Sequence, residues 1–364
     1  MPDSLPLVPT SSMPALIGHA DILRELRALA LSEEPPHALL FAGPDGTGRR
    51  LLALEYAKML NCAGTDAARS APSAALPCGV CRSCRLVDDG AHPDVLTLAP
   101  GDSLCKPRAG DSSHPRHPDS RDIRICQVRG LIDAVARYPF EARYRLVLVD
   151  PAHRLARDAS NSLLKTLEEP PGHTAITLVS SAPESILETI LSRCRRIDVR
   201  LVPRAEIEAG LVARGFEPTL AARAAEAARG RPGIGLDFAA DPDLIGARGR
   251  LLERCARVAG ERTRERFEYA ADLAEKWRRD RNQVAPEMDA WESFWERELR
   301  QSSLHQQDDP EVPRQNLEAL KAVEQCRVDL LTNVVPRTAF ELMLLSFPRR
   351  TLDVTTEEEP AAYA

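Results

Sequence analysis

The chain has 364 residues, of which 43% are hydrophobic, so two or three domains with buried cores can form. Its formal net charge of −6 argues against a free-standing nucleic-acid-binding protein, because such proteins neutralise phosphates with an excess of Lys and Arg. No apolar run approaches the roughly 20 residues of a membrane span, and residues 1–10 lack the basic segment and apolar core of a secretory signal, so we expect a cytoplasmic protein with no membrane partner.

The segment after the first apolar run has the frame of a phosphate-binding loop. Residues 38–42 predict a buried parallel strand, and residues 43–48 follow with the glycine spacing of G-x-x-x-x-G-K-[ST]. Arg49 replaces the Lys that reaches the phosphates, and Arg50 replaces the Ser or Thr that binds Mg²⁺; a guanidinium has no acceptor atom for a metal. The sequence predicts a degenerate loop without its catalytic groups, while loose binding of a nucleotide or phosphate stays open. The residues of this candidate site are Gly43, Gly46, Gly48, Arg49, Arg50 and, at the end of a later strand, Asp150.

Four cysteines come next, with the spacing C-x15-C-x2-C-x2-C: Cys62, Cys78, Cys81 and Cys84. Four thiolates suit one tetrahedral structural Zn²⁺ that has no open position for a substrate. The chain has nine Cys, and in a reducing compartment clustered Cys more often bind metal than form disulfides. We therefore predict one structural zinc ion; reduced Cys without a ligand are the alternative.

Residues 100–121 are polar and rich in Gly, Pro, Asp and Ser, so they predict a mobile surface insertion of unassigned function. Cys105, His114 and His117 lie in it, but their spacing matches none of the usual metal-site patterns, and no second metal site is predicted. His92 is assigned to the loop that leads into the next strand.

Five apolar runs alternate with helical segments, which predicts an α/β fold with a doubly wound parallel sheet. The predicted strands are 38–42, 94–98, 145–149, 174–181 and 196–201. Residues 203–241 change to short helices rich in Ala and Arg, and from about residue 246 the chain is helical. The expected division is 1–201 for the α/β domain with a zinc module at 62–84, 202–245 for a small helical domain, 246–350 for an all-α C-terminal domain and 351–364 for a disordered tail.

The C-terminal helices have apolar faces that predict packing. Two such faces consist of Leu317, Leu320, Val323 and Leu330, and of Phe340, Met343, Leu344 and Phe347. Residues 333–336 break the helix between them. Trp277, Trp291 and Trp295 lie on charged helices, so we interpret them as packing residues and not as a base-stacking platform.

The most distinctive stretch is 161–195, which reads as helix, strand and short helix. The first helix carries an apolar residue at every fourth position and stops at Pro170-Pro171, and the last is opened by Pro183. The apolar stripe of the first helix is Leu155, Ala159, Leu163 and Leu167. The run LLKTLEEPP followed by TILSRC resembles the clamp-loader branch of the AAA+ ATPases, which includes the gamma/tau and delta-prime subunits of bacterial DNA polymerase III. The resemblance covers residues 13 to about 347.

This resemblance implies that the ATP contacts are incomplete. Asp150 ends the third predicted strand and could help to position Mg²⁺, but a hydrolysing AAA+ subunit has a Glu next, where this chain has Pro151. Gly233 falls where ATP-binding relatives have the sensor-2 Arg, and Ser180-Ser181 falls at the sensor-1 position, where a hydroxyl would be vestigial. Together with Arg49, three elements of ATP chemistry are lost.

The resemblance also implies a role for Arg193, which follows the short helix. There it would act as an arginine finger that enters the ATP site of the adjacent subunit. The alternative is an Arg that pairs with a local carboxylate.

Two subunit types of this branch are compared: a non-hydrolysing ring member of the delta-prime type and an active ATPase of the gamma/tau type. The three losses favour the first, which implies no intrinsic ATPase activity, no bound ATP, a helical lid, and a C-terminal collar that joins five subunits. The implied partners are gamma/tau and delta and, indirectly, the sliding clamp and primed DNA, within the DNA-directed DNA polymerase III holoenzyme, a nucleotidyltransferase assembly. A zinc-ribbon nucleic-acid protein is a third hypothesis, disfavoured by the acidic balance.

Overall fold

The computed structural model describes residues 16–70, 75–101, 104–107, 114, 117, 120–304, 311–331 and 334–348. The chain divides into two compact units, residues 1–239 and 240–364. The first unit contains both the sheet and the short helices after it, so the finer division into three domains stays a prediction. The predicted tail, 351–364, lies outside the described residues.

Within the described part of the first unit, five strands form one parallel sheet in the order β2-β3-β4-β1-β5. The strands are β1 Ala38–Ala42, β2 Val95–Leu98, β3 Arg145–Val149, β4 Thr174–Ser180 and β5 Arg195–Asp198. The helices of this unit are α1 Ala20–Leu31, α2 Arg49–Asn61, α3 Thr65–Ser70, α4 Arg82–Asp88, α5 Ile125–Val135, α6 Arg157–Glu168, α7 Glu188–Leu191, α8 Arg204–Val212, α9 Pro218–Ala228 and α10 Pro232–Ala240.

The sheet is covered by helices on both faces, as a doubly wound fold requires. In β1, Leu39 and Phe41 join the apolar cluster that includes residues of α1 to α4, whereas Ala38, Leu40 and Ala42 join the cluster that includes residues of α5 to α7. A strand buried on both faces needs an apolar residue at every position, because successive side chains point to opposite sides. This explains why β1 and β3 appear in the sequence as continuous apolar runs, and it confirms the predicted α/β sheet.

The fifth strand is shorter than the prediction of 196–201. β5 pairs with β1 over Arg195–Asp198, and the Val199 N–H still donates to the Ala42 carbonyl at 2.7 Å. The Val202 N–H instead donates to the carbonyl of Gly230, 2.8 Å away, beyond the end of α9. The strand therefore ends early because the chain leaves the sheet to pair with the helical segment that follows.

A buried carboxylate ties β2 to the loop before β3. The Asp94 side chain is fully buried and accepts hydrogen bonds from the backbone N–H groups of Phe140, Glu141 and Ala142 at 2.7, 2.9 and 3.0 Å. The Arg145 guanidinium donates to the same carboxylate at 2.9 Å. Burial acts to raise the pKa of Asp94, but these hydrogen bonds outweigh burial and lower the pKa to about 2.

We expect Asp94→Asn to destabilise the first unit by about 3–5 kcal/mol at pH 7, because it removes one partner of a buried ion pair. The folded pKa of about 2 lies below the ordinary value of 3.8, so the stabilisation is present above that value and is lost as the pH falls through the folded pKa. The difference in unfolding free energy between the variant and the wild type should therefore become smaller between pH 4 and pH 2. Hydrogen exchange of backbone amides in β2 and β3 measures this difference. All three Trp lie in the second unit, so unchanged Trp fluorescence is the internal control. An equal exchange rate in both proteins at pH 7 would contradict the prediction.

The described part of the second unit is helical. Its helices are α11 Asp243–Gly260, α12 Thr263–Arg279, α13 Ala285–Leu304, α14 Glu311–Leu331 and α15 Pro336–Leu345. Trp291 and Trp295 are completely buried, and their rings lie 4.7 and 5.0 Å from that of Phe347. The packing role predicted for these two Trp is confirmed. Leu317 was predicted on the apolar face of α14 but is 39% exposed. Of that stripe, Val323 and Leu330 are buried and Leu320 is partly buried, so the buried face begins after Leu317.

Among the described residues, no helix combines the length and the apolar character that crossing a membrane would require.

Candidate functional site

The Gly-rich loop leaves the carboxyl end of β1 and turns into α2. A side chain at Gly43 would place its Cβ 2.1 Å from the carbonyl oxygen of Val199, so this position needs glycine. Gly46 and Gly48 have φ angles of 77° and 96°, in the left-handed region that glycine favours, and Gly48 caps the N-terminus of α2. The backbone is therefore that of a tight loop entering a helix, as the sequence predicts.

Arg49 folds back onto this loop. Its guanidinium pairs with the carboxylate of Asp45, four residues earlier, and the residue is only 8% exposed. A Lys at this point would present an ammonium to a phosphate, whereas this guanidinium is engaged with a carboxylate of the loop itself.

Arg50 pairs with Asp150, the residue at the carboxyl end of β3. The distance from Arg50 Nη1 to Asp150 Oδ2 is 3.0 Å. This brings together two sequence-predicted site residues that are one hundred positions apart. The carboxylate that could position Mg²⁺ is thus bound to the cation that replaces the metal-binding hydroxyl, and Pro151 follows it. These residues do not fit a Mg²⁺–nucleotide site.

The first turn of α10 contacts the Gly-rich loop at Gly46. The N–H of Gly233 donates to the carbonyl of Gly46 at 2.9 Å, and Cγ1 of Ile234 would lie 3.0 Å from a Cβ at Gly46. A Cβ at Gly233 would lie 3.2 Å from that same Gly46 carbonyl oxygen. An Arg at Gly233, which the resemblance implies is the sensor-2 position, would require the loop and the helix to move apart by a few tenths of an ångström.

Ser180, which the resemblance implies is at the sensor-1 position, is engaged with protein groups. It is fully buried, and its hydroxyl lies 3.2 Å from His153 Nδ1 and accepts from the N–H of Ala182 at 3.1 Å. Burial lowers the pKa of His153, assisted by nearby Arg154, so the imidazole is neutral at pH 7.

The four predicted metal ligands converge. The Sγ atoms of Cys62, Cys78, Cys81 and Cys84 lie within 4.8 Å of one another. Thiolates on one tetrahedral Zn²⁺ are about 3.8 Å apart, given Zn–S bonds of about 2.3 Å, so a small contraction would close the site. Cys62 follows the end of α2, Cys81 caps the N-terminus of α4, and Cys84 lies in its first turn.

Backbone N–H groups surround these sulfurs. The N–H groups of Gly64 and Cys78 donate to Cys62 Sγ at 3.3 and 3.4 Å, and that of Cys81 donates to Cys78 Sγ at 3.3 Å. Burial raises the pKa values of Cys62 and Cys84 above the ordinary value of a thiol, whereas at Cys81 hydrogen bonds from backbone N–H groups and neighbouring thiols outweigh burial and lower the pKa to about 6. Four convergent Cys sulfurs are a donor set that fits a closed structural Zn²⁺.

Arg193 lies just after α7 and pairs locally. Its Nη1 donates to the carbonyl of Thr189 at 2.7 Å, and its guanidinium forms an ion pair with Glu168, at the end of α6. The side chain of Arg193 is 34% exposed and that of Glu168 is 48% exposed. An ion pair this exposed contributes only about 0–1 kcal/mol, so it can be exchanged for another anionic partner at small cost.

Two parts of this arrangement were missed by reasoning from the sequence. Glu168 was not identified as the partner of Arg193. Cys126, in α5, was not connected with Cys105 and His114, although the ligand atoms of these three residues lie within 4.8 Å of one another. The residues come from separate elements, so no spacing in the sequence indicates their contact.

Comparisons with known proteins agree on one family. A family model described as "DNA polymerase III, delta subunit" matches residues 18–202. The delta' subunit of Pseudomonas aeruginosa DNA polymerase III is 37% identical over 158 residues, which are 43% of this chain and 41% of that protein. The tau subunit of Bacillus subtilis is 33% identical over 187 residues, 51% of this chain and 29% of that protein, and its delta' subunit is 30% identical over 185 residues, 51% and 48%. The matched regions thus span less than half of each relative.

A solved structure of a DNA polymerase III gamma-subunit-related protein from Thermotoga maritima aligns with 90% of this chain and 98% of its own. The TM-score is 0.40 and the identity 17%.

Proposed function

The chain belongs to the DNA polymerase III delta-subunit family, and from that premise we propose that it is a delta-prime-type subunit of a bacterial clamp loader that does not hydrolyse ATP itself. In this role it assembles with gamma/tau and delta, and the assembly loads the sliding clamp on primed DNA. The observation that supports the non-hydrolysing part is that Arg50, which has no acceptor atom for Mg²⁺, lies 3.0 Å from Asp150, and that Pro151 follows Asp150.

Two of the groups that ATP hydrolysis requires are replaced at these positions. Hydrolysis of ATP needs Mg²⁺ held by a hydroxyl and a carboxylate, and a residue that orients the attacking water. Here the carboxylate of Asp150 is neutralised by Arg50, and the next residue, Pro151, has no acid–base group. The loop and the sheet are retained and keep the shape of the subunit. In this proposal the guanidinium of Arg50 takes the position beside Asp150 that Mg²⁺ would occupy.

The active contribution that we propose for the chain is the guanidinium of Arg193, supplied to the nucleotide site of a neighbouring subunit. Arg is always charged and presents several N–H donors in one plane, so it can stabilise charge that develops on a transferred phosphoryl group. Its exposure and its exchangeable pair with Glu168 support this role. In the isolated chain Glu168 holds the guanidinium in place, and in the assembly phosphate oxygens would replace that carboxylate.

We further propose that the four-Cys cluster holds one structural Zn²⁺. The ion would join the end of α2 to the start of α4 across an Ala-rich and Ser-rich segment that has little apolar surface to bury. The C-terminal helices, in turn, are proposed to form the collar through which the subunits associate. Support for the collar comes only from the resemblance in sequence.

The proposed function predicts that the purified chain alone releases no phosphate from Mg²⁺–ATP, whereas the chain mixed with gamma/tau and delta supports clamp loading. Phosphate release by the chain, with Asp150→Asn as the matched control, measures the first part. A trace of activity that is equal in both proteins comes from a contaminant. Activity that disappears in Asp150→Asn would instead establish the alternative, an ATPase of the gamma/tau type.

A further inference from the structure

Three side chains from two separate segments form a second cluster of metal-binding groups. Cys105 and His114 lie in the polar insertion, and Cys126 lies in the first turn of α5. Their ligand atoms all lie within 4.8 Å of one another. We propose that these residues bind a second Zn²⁺, which fastens the insertion to α5.

The donor set selects the metal. Two thiolates and an imidazole are ligands that Zn²⁺ accepts, whereas Mg²⁺ and Ca²⁺ prefer oxygen. Cys126 is 2% exposed and Cys105 is partly buried, and both carry thiols and not halves of a disulfide. Cys126, on α5, is shielded from solvent. The insertion supplies the other two side chains, Cys105 and His114.

The part of the insertion that carries Cys105 is already fixed along α5 by other contacts. The N–H of Lys106 donates to the carbonyl of Cys126 at 2.9 Å, and the ammonium of Lys106 pairs with Asp133. Leu104 packs against Gly130, where a Cβ would lie 3.4 Å from Leu104 Cδ2. Cys105 is therefore held beside Cys126 by a hydrogen bond, an ion pair and a packing contact that do not depend on a metal.

His117 is the candidate for the fourth ligand. Its ring centroid lies 5.0 Å from that of His114, with the rings nearly perpendicular. Two imidazoles on one tetrahedral zinc have centroids about 5 Å apart, given Zn–N bonds of about 2.0 Å. Both His side chains and Cys126 line a cavity of about 230 Å³ whose other walls include Asp122, Arg124 and Asp158. His117 does not belong to the three residues whose ligand atoms converge, so its side chain would have to turn toward them to complete a Cys₂His₂ site.

A metal would solve a physical problem of this segment. The insertion has few apolar residues, so burial contributes little to holding it, and ordering costs about 1–2 kcal/mol for each residue that is fixed. A metal bridge between two segments would offset part of that cost locally.

The test is the zinc content of the full chain, purified without chelator and measured by elemental analysis together with protein concentration. We expect two zinc ions per chain in the wild type and one in the double variant Cys105→Ser, Cys126→Ser. The matched control is Cys194→Ser, a partly buried Cys outside both clusters, which should retain two. If the double variant misfolds, it would also lose zinc from the four-Cys cluster. Its circular dichroism spectrum would reveal such misfolding.

Should the double variant misfold, His114→Ala provides the second measurement. In Co²⁺-substituted protein it should change the thiolate-to-cobalt absorption, since an imidazole leaves a site that contains sulfur. The proposal is wrong if wild type and double variant hold equal zinc, if His114→Ala leaves the cobalt spectrum unchanged, or if Cys105 and Cys126 are found as a disulfide in freshly isolated protein. None of these outcomes affects the proposed role of the four-Cys cluster or of Arg193.

Discussion

Replacing Arg193 by Ala is expected to slow phosphate release by roughly 10³-fold at the one nucleotide site that we propose this residue completes, with the assembled loader otherwise intact. The reason is that a guanidinium supplied in trans stabilises charge in the transition state and contributes little to binding in the ground state. Single-turnover phosphate release by the reconstituted complex measures the effect as the loss of one kinetic phase. Native mass spectrometry confirms that the variant enters the complex in the normal ratio.

Two further variants separate the finger role from the local ion pair. Glu168→Gln removes the carboxylate that holds Arg193 in the isolated chain. Because so exposed a pair contributes about 0–1 kcal/mol, this variant should assemble and turn over within about fivefold of wild type. Arg193→Lys keeps the charge but loses the planar donors, and should fall between wild type and Ala. An Ala variant that assembles fully and releases phosphate at the wild-type rate would show that Arg193 is only the partner of Glu168.

Much of the fold could be predicted from the sequence because its strands are buried on both faces. β1 and β3 begin and end where their apolar runs do, at Ala38–Ala42 and Arg145–Val149. β5 was predicted to end three residues too late, since the point where the chain leaves the sheet is set by a hydrogen bond to Gly230, about thirty residues away. The burial of Leu317 was wrongly predicted for a related reason. The periodicity of a helix shows which side chains share a face, but not how much of that face a neighbouring helix covers.

The backbone of the candidate loop was predictable from its glycine spacing, but the pairing of its side chains was not. The residue types at 49, 50 and 151 predict that its ATP chemistry is lost, and this stays a prediction. The spacing could not show that Arg50 neutralises Asp150, because these residues meet only after a parallel sheet has brought the ends of β1 and β3 to one edge. The same limit applies to Cys126, whose ligand partners lie in a segment with no periodicity to indicate its position.

Replacing Cys78 and Cys81 together by Ser is expected to remove one zinc ion per chain and to unfold the module between α2 and α4. Structural zinc in small modules contributes about 10–16 kcal/mol of apparent binding free energy, which is comparable to the entire stability of a typical domain. Cys62 and Cys84 are 1% and 0% exposed and belong to the apolar cluster on one face of the sheet. Without the ion these two buried thiols no longer link α2 to α4, so hydrogen exchange should rise sharply in residues 75–88 and at the end of α2.

Cys78→His is the matched control, because it changes the same position while keeping a zinc ligand. Cys78 is only partly buried, which leaves room for an imidazole, and Cys₃His is an established ligand set for structural zinc. This variant should retain the ion and the slow exchange of the module, whereas the double Ser variant loses both. If the double Ser variant kept its zinc and its protection, the ion would have to lie elsewhere; if it lost the ion but kept its protection, packing alone would hold the module and the metal would have no structural role.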